Sequence, residues 1–219
     1  MTDTVQTPVR AVLFDFGGVI TASPFEAFRA YEDDNGLPEG FIRTLNAANP
    51  DSNAWARLER SEVDLDGFCE LFEAEAQAVG HHLEGRAVLA LLAGPVRPAM
   101  VEALKRIKAA GLPVAVLTNN FVSAPAGEVT TRQREAAEAM ALFDFVIESS
   151  KAGVRKPDPA AYQLVLDQLG VAPAEIVYLD DLGINLKPAR ALGMRTIKVT
   201  DPDLALAELS DVLGIPLGP

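Results

Sequence analysis

Asp15, Thr118, Asn119, Lys156, Asp180 and Asp181 are residue types that together can perform nucleophilic chemistry on a phosphate ester. A carboxylate such as Asp15 can attack phosphorus, and two further acids, Asp180 and Asp181, can hold a hard cation such as Mg2+ through oxygen. The Thr118 hydroxyl, the Asn119 amide and the Lys156 ammonium can bind phosphate oxygens and offset the repulsion among three clustered carboxylates. Taken singly, each has an ordinary reading as a turn residue, a helix cap or a solvated charge. Their positions set them apart, because each falls where a strand is expected to end or a helix to begin.

The elements that must position them follow from apolar patterning. Ala11 to Ile20, AVLFDFGGVI, reads as a buried strand that delivers Asp15 into a turn at Gly17 and Gly18. Val114 to Leu117 is a strand followed by Thr118 and Asn119, and Ile176 to Leu179 is a strand ending in Asp180 and Asp181. Lys156 and Pro157 precede a helix over Pro159 to Leu169, capped by Asp158 and closed by Gly170. Helices over Pro98 to Ala110, Ile184 to Leu192 and Leu204 to Leu213, with strands over Phe145 to Ile147 and Thr196 to Val199, complete a βα alternation. That alternation predicts a Rossmann-like α/β fold, a doubly wound parallel sheet whose strand ends share one edge, the edge where ligands bind.

Between the first strand and this alternation the pattern is helical only. Ser23 and Pro24 are expected as N-cap and first helical residue, and helical patterning continues to about Leu92. The expected organisation is therefore an α/β core of residues 9–21 and 93–219 with an all-helical insert at 22–92. Phe121 to Thr131 reads as one long irregular loop.

Composition excludes several classes. The 219 residues carry a net charge of −12, which argues against nucleic-acid or membrane-surface partners. Cys69 is the only cysteine, so no intrachain disulfide is expected. The start MTDTVQTPVR lacks the apolar stretch of a signal peptide, and no apolar run is long enough to span a bilayer, so a cytoplasmic protein is expected.

DFGGV, TNN, KPDPAAY and YLDDLGINLKPARALGM, in that order, resemble the four motifs of the haloacid dehalogenase (HAD) superfamily of aspartyl-nucleophile hydrolases. The similarity is greatest to the branch that holds the N-terminal phosphatase domain of soluble epoxide hydrolase and the corresponding domain of an acyl-CoA dehydrogenase fusion protein. It covers almost the whole chain. The resemblance implies that Asp15 is the nucleophile and a Mg2+ ligand, that Thr118 and Asn119 hold the phosphoryl group, and that Lys156 neutralises both. It makes Asp181 a direct metal ligand alongside the Gly17 carbonyl, with Asp180 and Asn185 supporting them. Lys151 is the alternative for the lysine role. The helical insert resembles the family's cap, with RLERSEVDLDGF near the substrate entrance.

One position departs from the family pattern. Phosphatases of the superfamily usually carry a second aspartate two residues after the nucleophile as acid/base, and this chain has Gly17. Loss of such help typically costs about 10^2 to 10^4 in rate. The expected activity is that of a Mg2+-dependent phosphatase of small phosphate esters, acting through an aspartyl-phosphate with restricted turnover; the alternatives are a 2-haloacid dehalogenase-like hydrolase or a catalytically weakened phospho-ligand binding domain. Epoxide hydrolysis is not expected. In the insert, Trp55 reads as a packing anchor, Arg57 or Arg60 as a contact for an anionic substrate, and His81 with His82 as weak candidates for metal.

Overall fold

The structure, a computed structural model, describes residues 7–121 and 130–218. Among these residues the chain forms one five-stranded parallel sheet of order β3-β2-β1-β4-β5, with strands Ala11–Phe14 (β1), Val114–Thr118 (β2), Phe145–Glu148 (β3), Ile176–Asp180 (β4) and Arg195–Lys198 (β5). β1 lies at the centre, paired in register with β2 through Leu13 and Ala115 and with β4 through Leu13 and Tyr178. Every residue of β1, β2 and β4 is buried, as strands covered on both faces require.

Alternation along β1 divides the core in two. Val12 and Phe14 pack with helices Pro98–Ala109 (α6) and Pro202–Leu213 (α11) through Leu104, Ile107, Leu206 and Leu209. Ala11 and Leu13 face the other way, toward helices Pro159–Leu169 (α9) and Gly183–Ala191 (α10), through Tyr162, Val165, Leu186 and Ala189. The connections leave β1 toward β2 and β4 toward β5, so the crevice where the strand order reverses lies at the carboxyl ends of β1 and β4. Asp15 and Asp181 flank it.

Helices Phe25–Asp34 (α1), Phe41–Ala47 (α2), Ala54–Glu59 (α3), Leu65–Ala78 (α4) and Gly85–Ala90 (α5) fill the interval between β1 and α6. They bury an apolar cluster of their own, in which Trp55 meets Phe68 and Phe72 edge-on at 4.7 and 5.8 Å. Their ends are held by side chains: Asn53 accepts from Ala56 N–H, Asp64 from Gly67 N–H, and the buried Glu32 from Gly40 and Ile42 N–H. Thr21 and Val96 form an antiparallel bridge, so the chain enters and leaves this helical segment side by side.

Two expectations are corrected. Pro24, not Ser23, is the cap residue of α1, and Ser23 makes no capping bond; Ala22 N–H is tied to Pro95 O, which holds the preceding residues to the returning chain. Thr131 opens a helix, Thr131–Met140 (α7), capped reciprocally by Thr130 and Gln133, and is not part of a loop; residues 122–129 of that expected loop lie outside the described residues. A short helix, Ser149–Ala152 (α8), follows β3 directly. No helix among the described residues is long and apolar enough to cross a membrane.

Candidate active site

The carboxyl ends of β1 and β4 and the residues just before α9 bring Asp15, Lys156 and Asp180 into contact. Lys156 Nζ lies 2.8 Å from Asp15 Oδ2 and 2.8 Å from Asp180 Oδ2, and the lysine is 1% exposed. Asp158 caps α9 through Ala160 N–H, fixing the chain just beyond the lysine. Asn119 pins the lysine's backbone from the end of β2: its Oδ1 accepts from Lys156 N–H at 2.8 Å and its Nδ2 donates to Lys156 O at 3.0 Å. The carboxamide of Asn119 is therefore first a clamp on Lys156. Thr118, the last residue of β2, is buried beside it.

Asp180 is wholly buried and fully partnered. Besides Lys156 it accepts from Leu182 N–H at 2.8 Å, from Asn185 Nδ2 at 3.1 Å, and from the Tyr178 hydroxyl. Tyr162 completes the network by donating to Asn185 O at 2.6 Å. Burial alone would raise the Asp180 pKa, but the Lys156 charge and these hydrogen bonds outweigh it and hold the group below the usual carboxylate range. Asp15 differs: burial lifts it well above that range, against Lys156, and the charges of Asp180 and Asp181 add to the rise. Burial, reinforced by Asp180, pushes Asp181 up to about 6. Lys156 loses affinity for its proton through burial and regains more from Asp15 and Asp180, so its pKa is raised and it stays charged.

These shifts describe a site short of positive charge. Asp15, Asp180 and Asp181 each place a carboxylate oxygen within 4.8 Å of the others, a donor set of hard oxygens suited to a cation such as Mg2+. Gly18, with φ +75°, lets Asp181 lie against the turn: a Cβ there would stand 2.2 Å from Asp181 Oδ2. Gly17 is the opposite case, since its φ is not in the left-handed region and a Cβ would meet nothing within 4 Å. Gly18→Ala is expected to destabilise by more than about 1 kcal/mol and displace Asp181, whereas Gly17→Ala should stay within about 0.5 kcal/mol of wild type. Thermal melts of the two variants would show it; equal losses would mean that the turn, not its packing on Asp181, sets the requirement.

A cavity of about 630 Å3 opens onto Gly17, Thr118 and Asn119. Trp55, Leu65, Leu89, Leu92 and Phe121 give it an apolar wall, so the helical segment faces the strand ends across it. The cations on its lining are Arg86 and Arg132. Arg57 and Arg60, expected at the substrate, do not line it; both pair with Glu62, at 3.9 and 2.6 Å, and Arg60 also donates to Asp51 O. Lys151, on α8, pairs with Glu148 at the end of β3 and is largely exposed, outside the acid cluster. His81 packs against the Phe41 ring, and neither it nor His82 belongs to a group of metal-ligating side chains among the described residues. A second cavity, of about 680 Å3, between α6 and α7, contains none of the predicted residues.

Sequence reasoning missed Tyr178, Glu59 and Arg155. Tyr178 was detectable, because residues two apart on a strand share a face and Asp180 was already singled out. Glu59 and Arg155 meet across the cavity's edge, with Arg155 Nε 2.5 Å from Glu59 Oε2, and only the tertiary fold joins residues so distant in sequence.

The haloacid dehalogenase-like hydrolase profile matches residues 9–193. Mouse acyl-CoA dehydrogenase family member 10 is 37% identical over 213 residues, covering 95% of this chain and 19% of that protein. Pig bifunctional epoxide hydrolase 2 is 34% identical over 220 residues, covering 95% of this chain and 40% of that protein, so the chain spans less than half the length of either relative. Phosphatase MT3486 of Mycobacterium tuberculosis (strain CDC 1551 / Oshkosh) is 32% identical over 201 residues, with 87% of each chain covered. Among solved structures, a HAD family enzyme of Bacteroides thetaiotaomicron, in complex with magnesium and inorganic phosphate, shares the fold with a TM-score of 0.57 at 16% identity, covering 87% of this chain and 93% of that one. The strand-end acids, the lysine that bridges two of them and these similarities lead to one assignment: the chain belongs to the haloacid dehalogenase-like hydrolases.

Proposed function

We propose that the protein is a Mg2+-dependent phosphatase that hydrolyses small phosphate esters through an aspartyl-phosphate on Asp15. The observation that carries this reading is Lys156 Nζ, 2.8 Å from both Asp15 and Asp180 and buried with them, beside a third acid. Dehalogenation needs no such acid cluster. Asp15 attacks phosphorus as the ester oxygen departs, and water then attacks the aspartyl-phosphate, releasing inorganic phosphate and restoring the carboxylate. Lys156 orients Asp15 and offsets the charge gathering on the phosphoryl oxygens, and Thr118 and Asn119 face the same cavity to hold them. Asp15, Asp181 and the Gly17 carbonyl would hold Mg2+, whose charge would join the carboxylates to an anionic substrate. Asp180 and Asn185 brace the cluster.

Residues 22–92 act in this reading as a cap over a core of residues 9–21 and 93–219, and the apolar wall of the cavity suits esters with an apolar body. The single cysteine, Cys69, is in keeping with a cytoplasmic setting.

The metal assignment is testable without turnover. With a folded-state pKa of about 6, above the ordinary 3.8, Asp181 costs stability as it ionises, and the cost grows as pH rises from about 4 through 6. Without divalent cation, Asp181→Asn should therefore melt higher than wild type at pH 8, by on the order of 1 to 3 kcal/mol, the gain fading toward pH 4. Mg2+ at 1,000 times its Kd should reverse the order, since it adds about 4.1 kcal/mol to wild type, more than the variant's advantage. Identical Mg2+ responses of the two proteins would remove Asp181 from the metal site.

A further inference from the structure

Gly17 offers no side chain to move a proton at the leaving group, and the lining of the same cavity carries a carboxyl group. Glu59, the last residue of α3, lines the same cavity as Gly17, Thr118 and Asn119. Its side chain is 15% exposed. Trp55 and Leu58 of that helix enter the apolar cluster, and Arg57 pairs with Glu62. Glu59 instead faces the core, where Arg155, Lys156 and the Asn119 carboxamide surround it, with Arg60 next along its own chain. The contact with Arg155 is close, yet Arg155 Nε and Glu59 Oε2 are not aligned as donor and acceptor, so the carboxyl group keeps hydrogen-bonding capacity.

We propose that Glu59 is the proton donor and acceptor for hydrolysis at Asp15, supplying from the helical segment the side chain that position 17 lacks; the proposal rests on the phosphatase reading. In the first half-reaction the Asp15 oxygen bonds to phosphorus, the phosphorus–ester oxygen bond breaks, and the Glu59 carboxyl gives its proton to the departing oxygen, leaving an alcohol, the aspartyl-phosphate and a Glu59 carboxylate. In the second, that carboxylate takes a proton from water as the water oxygen bonds to phosphorus. Inorganic phosphate leaves, the Asp15 carboxylate is regenerated and the Glu59 carboxyl is restored. Burial raises the proton affinity of Glu59 above that of an ordinary glutamate despite Arg155, which moves it toward the range where one group can serve as both acid and base. The acid arrives with the helical segment, so protonation of the leaving group would be coupled to that segment's seating on the core, where Arg155 also donates to Pro50 O and Ser61 to Ser150 O.

The decisive measurement is kcat/KM, which reports the first half-reaction and not the hydrolysis of the aspartyl-phosphate that all esters share, for a series of primary-alkyl phosphates and for p-nitrophenyl phosphate, at saturating Mg2+, in wild type, Glu59→Gln, Gly17→Asp and the double variant, with folding checked by melting. Aryl oxide leaves with little protonation and alkoxide does not. Glu59→Gln should lower alkyl kcat/KM by about 10^2-fold or more and aryl kcat/KM by less than about threefold, while kcat falls on both classes because hydrolysis of the aspartyl-phosphate loses its base. Position 17 has room for a side chain, so Gly17→Asp should raise alkyl kcat/KM at least about tenfold in the Glu59→Gln background, more than any change it makes in wild type, a non-additivity expected of two groups doing one job. If Glu59→Gln does not fold, Glu59→Asp, which keeps the acid but draws it back, must show the same alkyl-selective loss. Arg155→Met, which removes the ion pair and the bond to Pro50 O but leaves the Glu59 carboxyl group in place, should slow both substrate classes alike. Equal losses of kcat/KM on alkyl and aryl esters in the Glu59 variants would make Glu59 a positioning residue and overturn the proposal, as would no loss, or a double variant no better than Glu59→Gln. A folded wild type inactive on both esters would instead overturn the phosphatase reading, and the proposal with it.

Discussion

Asp15→Asn is expected to lower phosphate-ester hydrolysis by on the order of 10^4 to 10^6-fold while leaving the metal-free protein at least as stable as wild type. The loss follows from chemistry: a carboxamide oxygen is too weak a nucleophile to form the aspartyl-phosphate, and the proposed cation site loses one of its two carboxylate ligands. The stability follows from electrostatics. Asp15 is buried and its pKa is lifted well above the usual carboxylate range, so ionising it in the fold is uphill. Asparagine is nearly isosteric and can keep the bond from Phe16 N–H that Oδ1 now accepts at 2.6 Å. Lys156 retains Asp180 as its partner. The check is a pair of measurements: thermal melting without divalent cation, and intact mass after acid quench of a turnover mixture. Wild type should carry one phosphoryl adduct and the variant none. A variant that still turns over would end the covalent mechanism, and one that melts far below wild type would mean that Asp15 stabilises the fold through Lys156 more than its burial costs.

How far the site was legible depended on whether a residue is placed by its neighbours in sequence or by the fold. Asp15, Thr118, Asp180 and Asp181 end strands whose apolar runs are local signals, and parallel pairing brings such ends to one edge whatever else the chain does. Lys156 was legible for a related reason, since a helix cap and proline fix where α9 begins. The start of α1 was misplaced because the bond from Ala22 to Pro95 and the bridge at Thr21 and Val96 are tertiary, and they compete with the cap that Ser23 and Pro24 suggest. The cavity's cations were misread for the same kind of reason. Arg57 and Arg60 are close in sequence to the expected entrance but spend their charge on Glu62, while Arg86 and Arg132 reach the cavity from α5 and α7. At the glycine turn the sequence named the right pair without resolving it. Either glycine could have taken the left-handed conformation, and only the approach of Asp181 shows that Gly18 must and Gly17 need not.

Lys156→Met carries the second large effect, and its pH dependence separates charge from packing. Methionine keeps an apolar stem of similar length, so the core around Tyr178 should still fill, but Asp15 and Asp180 would lose the ammonium 2.8 Å from each. Removing one partner from a buried ion pair costs about 3 to 5 kcal/mol, and here one cation serves two acids. In wild type the lysine's pKa is raised, so its contribution is fully present below the ordinary lysine value and does not change between pH 5 and 8. The pH dependence of the difference must come from the acids. Asp180, now held low chiefly by Lys156 against its burial, would rise above its unfolded value in the variant, and Asp15, already high, would rise further. A carboxylate whose folded pKa exceeds its unfolded one binds protons more tightly in the fold, so the variant gains stability as pH falls. Urea unfolding should accordingly show the full deficit at pH 8 and a much smaller one at pH 5, with Mg2+ restoring part of it at pH 8 by returning positive charge to the cluster. Turnover should fall by about 10^3-fold even at saturating Mg2+, because the cation does not replace a donor held between Asp15 and Asp180. A deficit of the same size at both pH values, unmoved by Mg2+, would assign the loss to packing and leave the lysine's charge without the role that its place between two buried carboxylates gives it.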